Sequence, residues 1–138
     1  MNSRRRVSAA LAGLLLLVAG GAVGHHVLSV PSTADRPAAV ASAAHLPVRP
    51  LSQLPPQVTE VWLRIQHGGP FPYRQDGAVF GNREGRLPER PPGYYREYTV
   101  PTPGEPDRGP CRLITGRSGE LYYTGDHYRS FVVVDPTR

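Results

Sequence analysis

The chain has 138 residues, including 16 prolines and 15 glycines; these two make up about 22%, just below the roughly 25–30% that marks aperiodic low-complexity chains. A loop-rich folded domain is therefore allowed, while the length excludes a second sizeable one. The 16 basic residues, all arginine, outnumber 11 acidic ones for a net charge of +5, which favours anionic partners. The single cysteine, Cys111, rules out an intramolecular disulfide and a cysteine-built zinc site.

At the N-terminus, Arg4-Arg5-Arg6 precedes an uncharged run from Val7 to Gly24, the order of an export signal. Ala41-Ser42-Ala43 has the small-residue form that signal peptidase accepts, so residues 1–43 read as a signal peptide and the start of a spacer. An uncleaved anchor is the competing reading, because 18 uncharged residues just reach bilayer-spanning length. Between Pro31 and Pro50 the chain has four prolines, six alanines and no aromatic residue, a composition that buries too little to offset its ordering entropy. Residues 44–50 thus complete the spacer, residues 51–138 form the folded domain, and the expected product is secreted and extracellular. Loss of residues 1–43 removes four arginines and one aspartate, lowering the net charge from +5 to +2. Basicity belongs largely to the targeting segment and does not by itself point to nucleic acid.

Within the domain, Val58, Val61, Trp62 and Ile65 form the apolar stripe of an amphipathic helix. Pro55-Pro56 start it and Gly68-Gly69 end it. Short β-branched and aromatic runs follow, predicting strands over Ala78–Phe80, Tyr94–Val100, Arg112–Thr115, Leu121–Thr124 and Ser130–Val134. The expected fold is α+β, with one N-terminal helix packed on a twisted antiparallel sheet.

Alternation along Tyr94–Val100 places Tyr95, Glu97 and Thr99 on one face and Arg96 on the other. Arg112 shares a face with Ile114, and Arg108 lies in the loop before it. A carboxylate and two arginines can thus meet across a sheet face, either as an ordinary cross-strand ion pair or as a site. His127 occupies the turn Thr124-Gly125-Asp126-His127-Tyr128 between two strands, where catalytic groups tend to sit. His67, at a helix end, reads instead as a solvent-facing complement to the helix dipole. No cluster with metal-ligand spacing accompanies His127, so no metal is expected. Phe80-Gly81-Asn82-Arg83-Glu84 favours a turn presenting backbone N–H groups, which with the Glu84 carboxylate and the Phe80 ring would suit guanine. The alternative is a plain surface loop.

These pieces together resemble one family, the secreted guanyl-specific microbial ribonucleases related to barnase, above all their small actinobacterial-type members. The resemblance runs from Leu54 to Val134 through Leu54-Pro55-Pro56, Gly69-Pro70-Phe71-Pro72-Tyr73, Asp76-Gly77, Phe80 and Asn82-Arg83-Glu84. It continues through Gly93-Tyr94-Tyr95, Glu97-Tyr98-Thr99-Val100, Thr102-Pro103-Gly104, Arg108-Gly109, Arg112, Ile114-Thr115-Gly116 and Tyr122 to Tyr128. It implies Glu97 as general base, His127 as general acid, and Arg108 and Arg112 with Tyr128 on the scissile phosphate. It further implies that Phe80, Asn82, Arg83 and Glu84 form the guanine site.

The implied activity is cleavage of single-stranded RNA 3′ of guanosine through a 2′,3′-cyclic phosphate that water opens. RNA supplies its own nucleophile, so no metal or cofactor is implied, and activity should be bell-shaped in pH. The implied partners are RNA and an acidic protein inhibitor, with a monomeric product that keeps no stable membrane association after cleavage. The alternatives are a catalytically weak RNA- or guanine-nucleotide-binding module of the same fold, or a surface-anchored interaction module. Departures from the family pattern are Cys111 where a second Arg is frequent, Arg96 where His is frequent, Gly81 where larger residues stand, and the missing terminal disulfide. Cys111 reads as a partly buried strand residue.

Overall fold

The computed structural model describes residues 36–138; the export-signal reading of the first 35 lies outside them. Helix α1 (Arg36–Ala44), strand β1 (Val48–Pro50) and a 3-10 turn (Leu51–Gln53) lead into helix α2 (Pro56–Gln66). Strands β2 (Ala78–Phe80), β3 (Tyr95–Thr99), β4 (Arg112–Gly116), β5 (Leu121–Thr124) and β6 (Val132–Asp135) follow. They form one six-stranded sheet in the order β1-β6-β5-β4-β3-β2. Neighbours are antiparallel except β1 and β6, which pair in parallel with Val48 opposite Val133.

Helix α2 forms where the sequence puts its stripe. Pro56 supplies the first helical residue, whose N–H would be unpaired in any case. Val58 and Val61 are buried and pack with Leu113, Leu121 and Val134, one residue of each pleat pair on β4, β5 and β6. The opposite residues of the same strands, Ile114, Tyr122 and Val133, join Tyr95, Leu87 and Phe131 in a second core on the other face. Adjacent residues of a strand point to opposite faces, so the sheet has a helix face and a second face, and the second carries the Glu97 and Arg112 expected at the site.

The expected α+β class holds, with two elements beyond it. Residues 36–50, expected as spacer, contribute α1 and β1, so the sheet begins at Val48 rather than after Leu51. Val40 and Ala41 of α1 pack on the second core, Leu46 N–H donates to the Ala41 carbonyl, and Arg36 donates to the Ser118 carbonyl at 2.7 Å. A three-residue strand reading Val-Arg-Pro has no alternation to betray it. Its place is set by backbone pairing with β6, a long-range relation that composition does not encode.

Candidate active site

Register across the second face fixes where the functional groups stand. Glu97 on β3 faces Ile114 on β4, and Thr99 faces Arg112. Glu97 and Arg112 are thus diagonal neighbours on one face, with Phe80 of β2 opposite Tyr95. The Arg108 guanidinium reaches back over this row: Nη2 lies 3.8 Å from Glu97 Oε1, and Nε donates to Thr99 Oγ1 at 2.9 Å. Nη2 itself is buried and makes no hydrogen bond among the described residues. Its nearest charge is the Glu97 carboxylate.

Arg112 is only 3% exposed. Its Nη1 donates to the carbonyls of Gly109 at 2.8 Å and Cys111 at 2.7 Å, and its Nε donates to the Tyr128 hydroxyl at 3.2 Å. Arg112 thereby anchors the loop that carries Arg108. That loop turns through Gly109 at φ 59°, where a Cβ would come 2.5 Å from Thr102 Oγ1, so only glycine fits. The Tyr128 hydroxyl in turn donates to Glu97 Oε2 at 2.5 Å. Burial, then the Glu97 contact, hold the Tyr128 hydroxyl above the usual tyrosine range, so it stays protonated and a donor.

The turn after β5 holds His127 and Tyr128 in the left-handed region, at φ 57° and 68°. Two consecutive non-glycine residues there cost about 1–2 kcal/mol each, which a local network offsets. Asp126 accepts from Ser130 Oγ at 2.5 Å, Ser130 N–H at 2.9 Å and Thr124 Oγ1 at 2.9 Å. Thr124 Oγ1 accepts from Tyr128 N–H, and Pro110 O accepts from His127 N–H, both at 3.1 Å. The Ser130 hydroxyl, foremost, pulls the Asp126 carboxyl down to about 2. His127 is exposed, its ring tilted against that of Tyr128 at 5.1 Å.

On the other side of Glu97, Asn82 turns the chain at φ 48°. Its side chain does not point out to a ligand but clamps the loop: Nδ2 donates to the Leu87 carbonyl at 2.8 Å and Oδ1 accepts from Leu87 N–H at 3.0 Å. The N–H groups of Asn82, Arg83 and Glu84 donate no hydrogen bond among the described residues. Glu84 is exposed and ion-paired with Arg86 at 2.9 Å. Phe80 stacks on Tyr128 at 5.4 Å with an interplanar angle of 21°.

Two cavities flank the Glu97–Tyr128–Arg112 line. A cavity of about 450 Å³ is lined by Phe80, Asn82, Arg83, Glu84, Glu97 and Tyr128, with Arg86 and Phe131 among its further walls. One of about 440 Å³ is lined by Arg108, Arg112 and His127 together with Glu105, Asp107, Gly109 and Pro110. Every residue expected at the site thus lines one cavity or the other. The acid–base candidates are divided between them: no hydrogen bond joins His127 to Glu97 among the described residues. Sequence reasoning missed Thr99 as the Arg108 partner, though its alternation with Glu97 was the available signal, and it missed Phe131, whose burial depends on β6. His67 is exposed, its Nδ1 2.7 Å from the Leu63 carbonyl in the last helical turn. Cys111 is half-buried, its Sγ accepting from the Tyr123 hydroxyl at 3.4 Å. Among the described residues no group of three or more His, Cys, Asp or Glu side chains could hold a metal ion.

Comparison with known proteins bears on the same region. A family model described as ribonuclease matches residues 37–135. The chain is 54% identical over 81 residues to guanyl-specific ribonuclease St of Saccharopolyspora erythraea, covering 59% of this chain and 80% of that one. It is 56% identical over 88 residues to guanyl-specific ribonuclease Sa of Kitasatospora aureofaciens, covering 63% and 92%. The crystal structure of ribonuclease Sa2 with guanosine-2′-cyclophosphate superposes with a TM-score of 0.65 at 46% identity, covering 67% of this chain and 99% of that one.

Proposed function

The chain belongs to the ribonuclease family, and from that premise we propose that it is a guanyl-preferring endoribonuclease cutting single-stranded RNA on the 3′ side of guanosine. The observation that carries this reading is the Glu97, Arg108, Arg112 and Tyr128 cluster, set between two cavities on one sheet face. Guanine enters the first cavity against Phe80, its O6 and N7 accepting from the free N–H groups of the Asn82–Glu84 turn. Its N1–H and N2–H donate to Glu84, which must then exchange its Arg86 contact for the base.

The ribose 2′-OH attacks the phosphorus while Glu97 takes its proton, so the O2′–P bond forms as the P–O5′ bond breaks. His127, on the far side of the arginines, gives its proton to the departing O5′. Arg108 and Arg112 neutralise charge developing on the phosphoryl oxygens. In the second step the roles reverse: His127 takes a proton from water, which opens the cyclic phosphate, and Glu97 returns one to O2′. No metal enters either step, and DNA, lacking the 2′-OH, is left uncut.

Export follows from the Arg4-Arg5-Arg6 and Val7–Gly24 order, and the rim arginines Arg83 and Arg86 would also suit an acidic inhibitor. The test is digestion of a defined single-stranded RNA in EDTA by the wild type, Glu97→Gln and His127→Ala. Cuts only after G with cyclic phosphate ends, slowed roughly 10²–10⁴-fold in both variants, are expected. Cuts after all four bases would remove the guanine site, and unimpaired variants would remove the acid–base pair.

A further inference from the structure

A third cavity adjoins the first. It measures about 420 Å³ and is lined by Leu46, Pro47, Arg86, Arg129, Phe131 and Val132, together with Ser130. Arg86 and Phe131 also line the cavity proposed for guanine, so the two share a wall. The apolar side is fixed in place. Phe131 is buried, Leu46 packs on the second core, and the Pro47 carbonyl accepts from Val133 N–H at 2.8 Å. Arg86 and Arg129 are exposed.

No carboxylate lines this cavity, whereas the two described above both have acidic walls. Two guanidiniums against an apolar backing suit a phosphate, because each presents its N–H donors as a planar fork. Their states in the free molecule differ. Arg129 forms no ion pair among the described residues, while Arg86 is paired with Glu84 at 2.9 Å. That pair opens when Glu84 turns to guanine, so binding of the base itself releases Arg86. A guanosine in the first cavity sends its 3′ phosphate toward Glu97, Arg108 and Arg112. Its 5′ side then faces the wall formed by Arg86 and Phe131, and the cavity beyond that wall holds Arg129.

We propose that this cavity holds the phosphate on the 5′ side of the guanosine, with Arg129 and the released Arg86 as its donors. The inference rests on the ribonuclease reading and extends the binding surface upstream of the cleaved bond. This phosphate takes no part in bond making or breaking, so its contacts lower KM and leave kcat nearly unchanged. Cleavage of the dinucleoside phosphate GpC, of pGpC with a 5′-terminal phosphate and of the trinucleotide UpGpC tests it. For the wild type, kcat/KM for pGpC and UpGpC should lie roughly three- to tenfold above GpC, the worth of one net hydrogen bond. A gain for both marks an internal phosphodiester as sufficient, and a gain for pGpC alone assigns the site to a terminal monoester.

Arg129→Gln should cleave GpC as the wild type does and lose most of that gain. Arg64→Gln, the same charge change on α2, should keep it. Equal wild-type rates on all three substrates, or an undiminished gain in Arg129→Gln, would overturn the phosphate site. A gain confined to UpGpC would do so too, by placing the affinity in the upstream nucleoside. Each of these results leaves the ribonuclease reading intact, because GpC is still cut after G. Cleavage of none of the three by folded protein would overturn both.

Discussion

The Tyr128 hydroxyl donates to Glu97 Oε2 at 2.5 Å and accepts from Arg112 Nε at 3.2 Å, so one phenol ties the proposed base to the buried arginine. Hydrogen bonds to charged groups are worth about 1.5–3 kcal/mol, and this one orients Glu97 for the 2′-OH. Tyr128→Phe should therefore lower kcat/KM on GpC by roughly tenfold or more, with the Phe80 stacking retained. Steady-state kinetics on the variant would check this. An unchanged kcat/KM would take Tyr128 out of the machinery.

Asn82 invites a second substitution because it holds the turn proposed to bind guanine by two bonds to Leu87 while sitting at φ 48°. Asn82→Ala loses both bonds and adds left-handed strain, a destabilisation of about 2–4 kcal/mol. Asn82→Gly loses the bonds alone and should be the milder change. Both should raise KM for GpC, because the free N–H groups of residues 82–84 are no longer held in place. Thermal unfolding beside KM separates the effects: KM unchanged in both variants would mean the turn keeps its shape without the clamp.

What the sequence made legible was local. The α2 stripe, the five strand cores and the Glu97 alternation are short-range patterns, and each lies within a residue or two of its expected place. The resemblance carried Arg108, His127 and the Phe80–Glu84 turn onto one surface, and all of them line the two cavities. Illegible were relations between distant backbones: the parallel pairing of Val48 with Val133 and the packing of Ala41 on the second core. The use of Asn82 was also hidden, since an Asn in a turn reads equally as ligand contact or as clamp until Leu87 is seen beside it. Glu84 and Arg86, two positions apart, gave no sign that they pair in the free molecule.

Acid should loosen the His127 turn. Asp126 is held down to about 2 from an ordinary 3.8, first by the Ser130 hydroxyl, and Asp135 is lowered too, first by the Thr137 hydroxyl. A carboxyl with a depressed folded pKa adds stability that is full above its unfolded value and is lost as pH falls through the folded one. Stability should therefore be steady above about pH 4 and decline toward pH 2. Asp126→Asn should destabilise the protein at pH 7 and converge on the wild type near pH 2. Urea unfolding across that range would decide it, and a pH-independent gap between the two proteins would count against the Asp126 network.

The N-terminal boundary is open to a direct test by length. Val40 and Ala41 of α1 pack on the core that includes Tyr122 and Val133, while β1 closes the edge of β6. A chain beginning at residue 44, the cut expected from Ala41-Ser42-Ala43, keeps β1 and loses α1. One beginning at residue 51 loses both and leaves the β6 edge unpaired. Melting temperatures should fall in the order 36, 44, 51, with α1 contributing about 1–2 kcal/mol from its buried apolar area. All three chains keep Glu97, Arg108, Arg112 and His127, so guanosine cleavage well below the melting transition should be nearly equal. Equal melting temperatures for the first two would reduce α1 to a passenger on the sheet. A loss of cleavage on removing α1, with the melting temperature preserved, would instead tie that helix to the site.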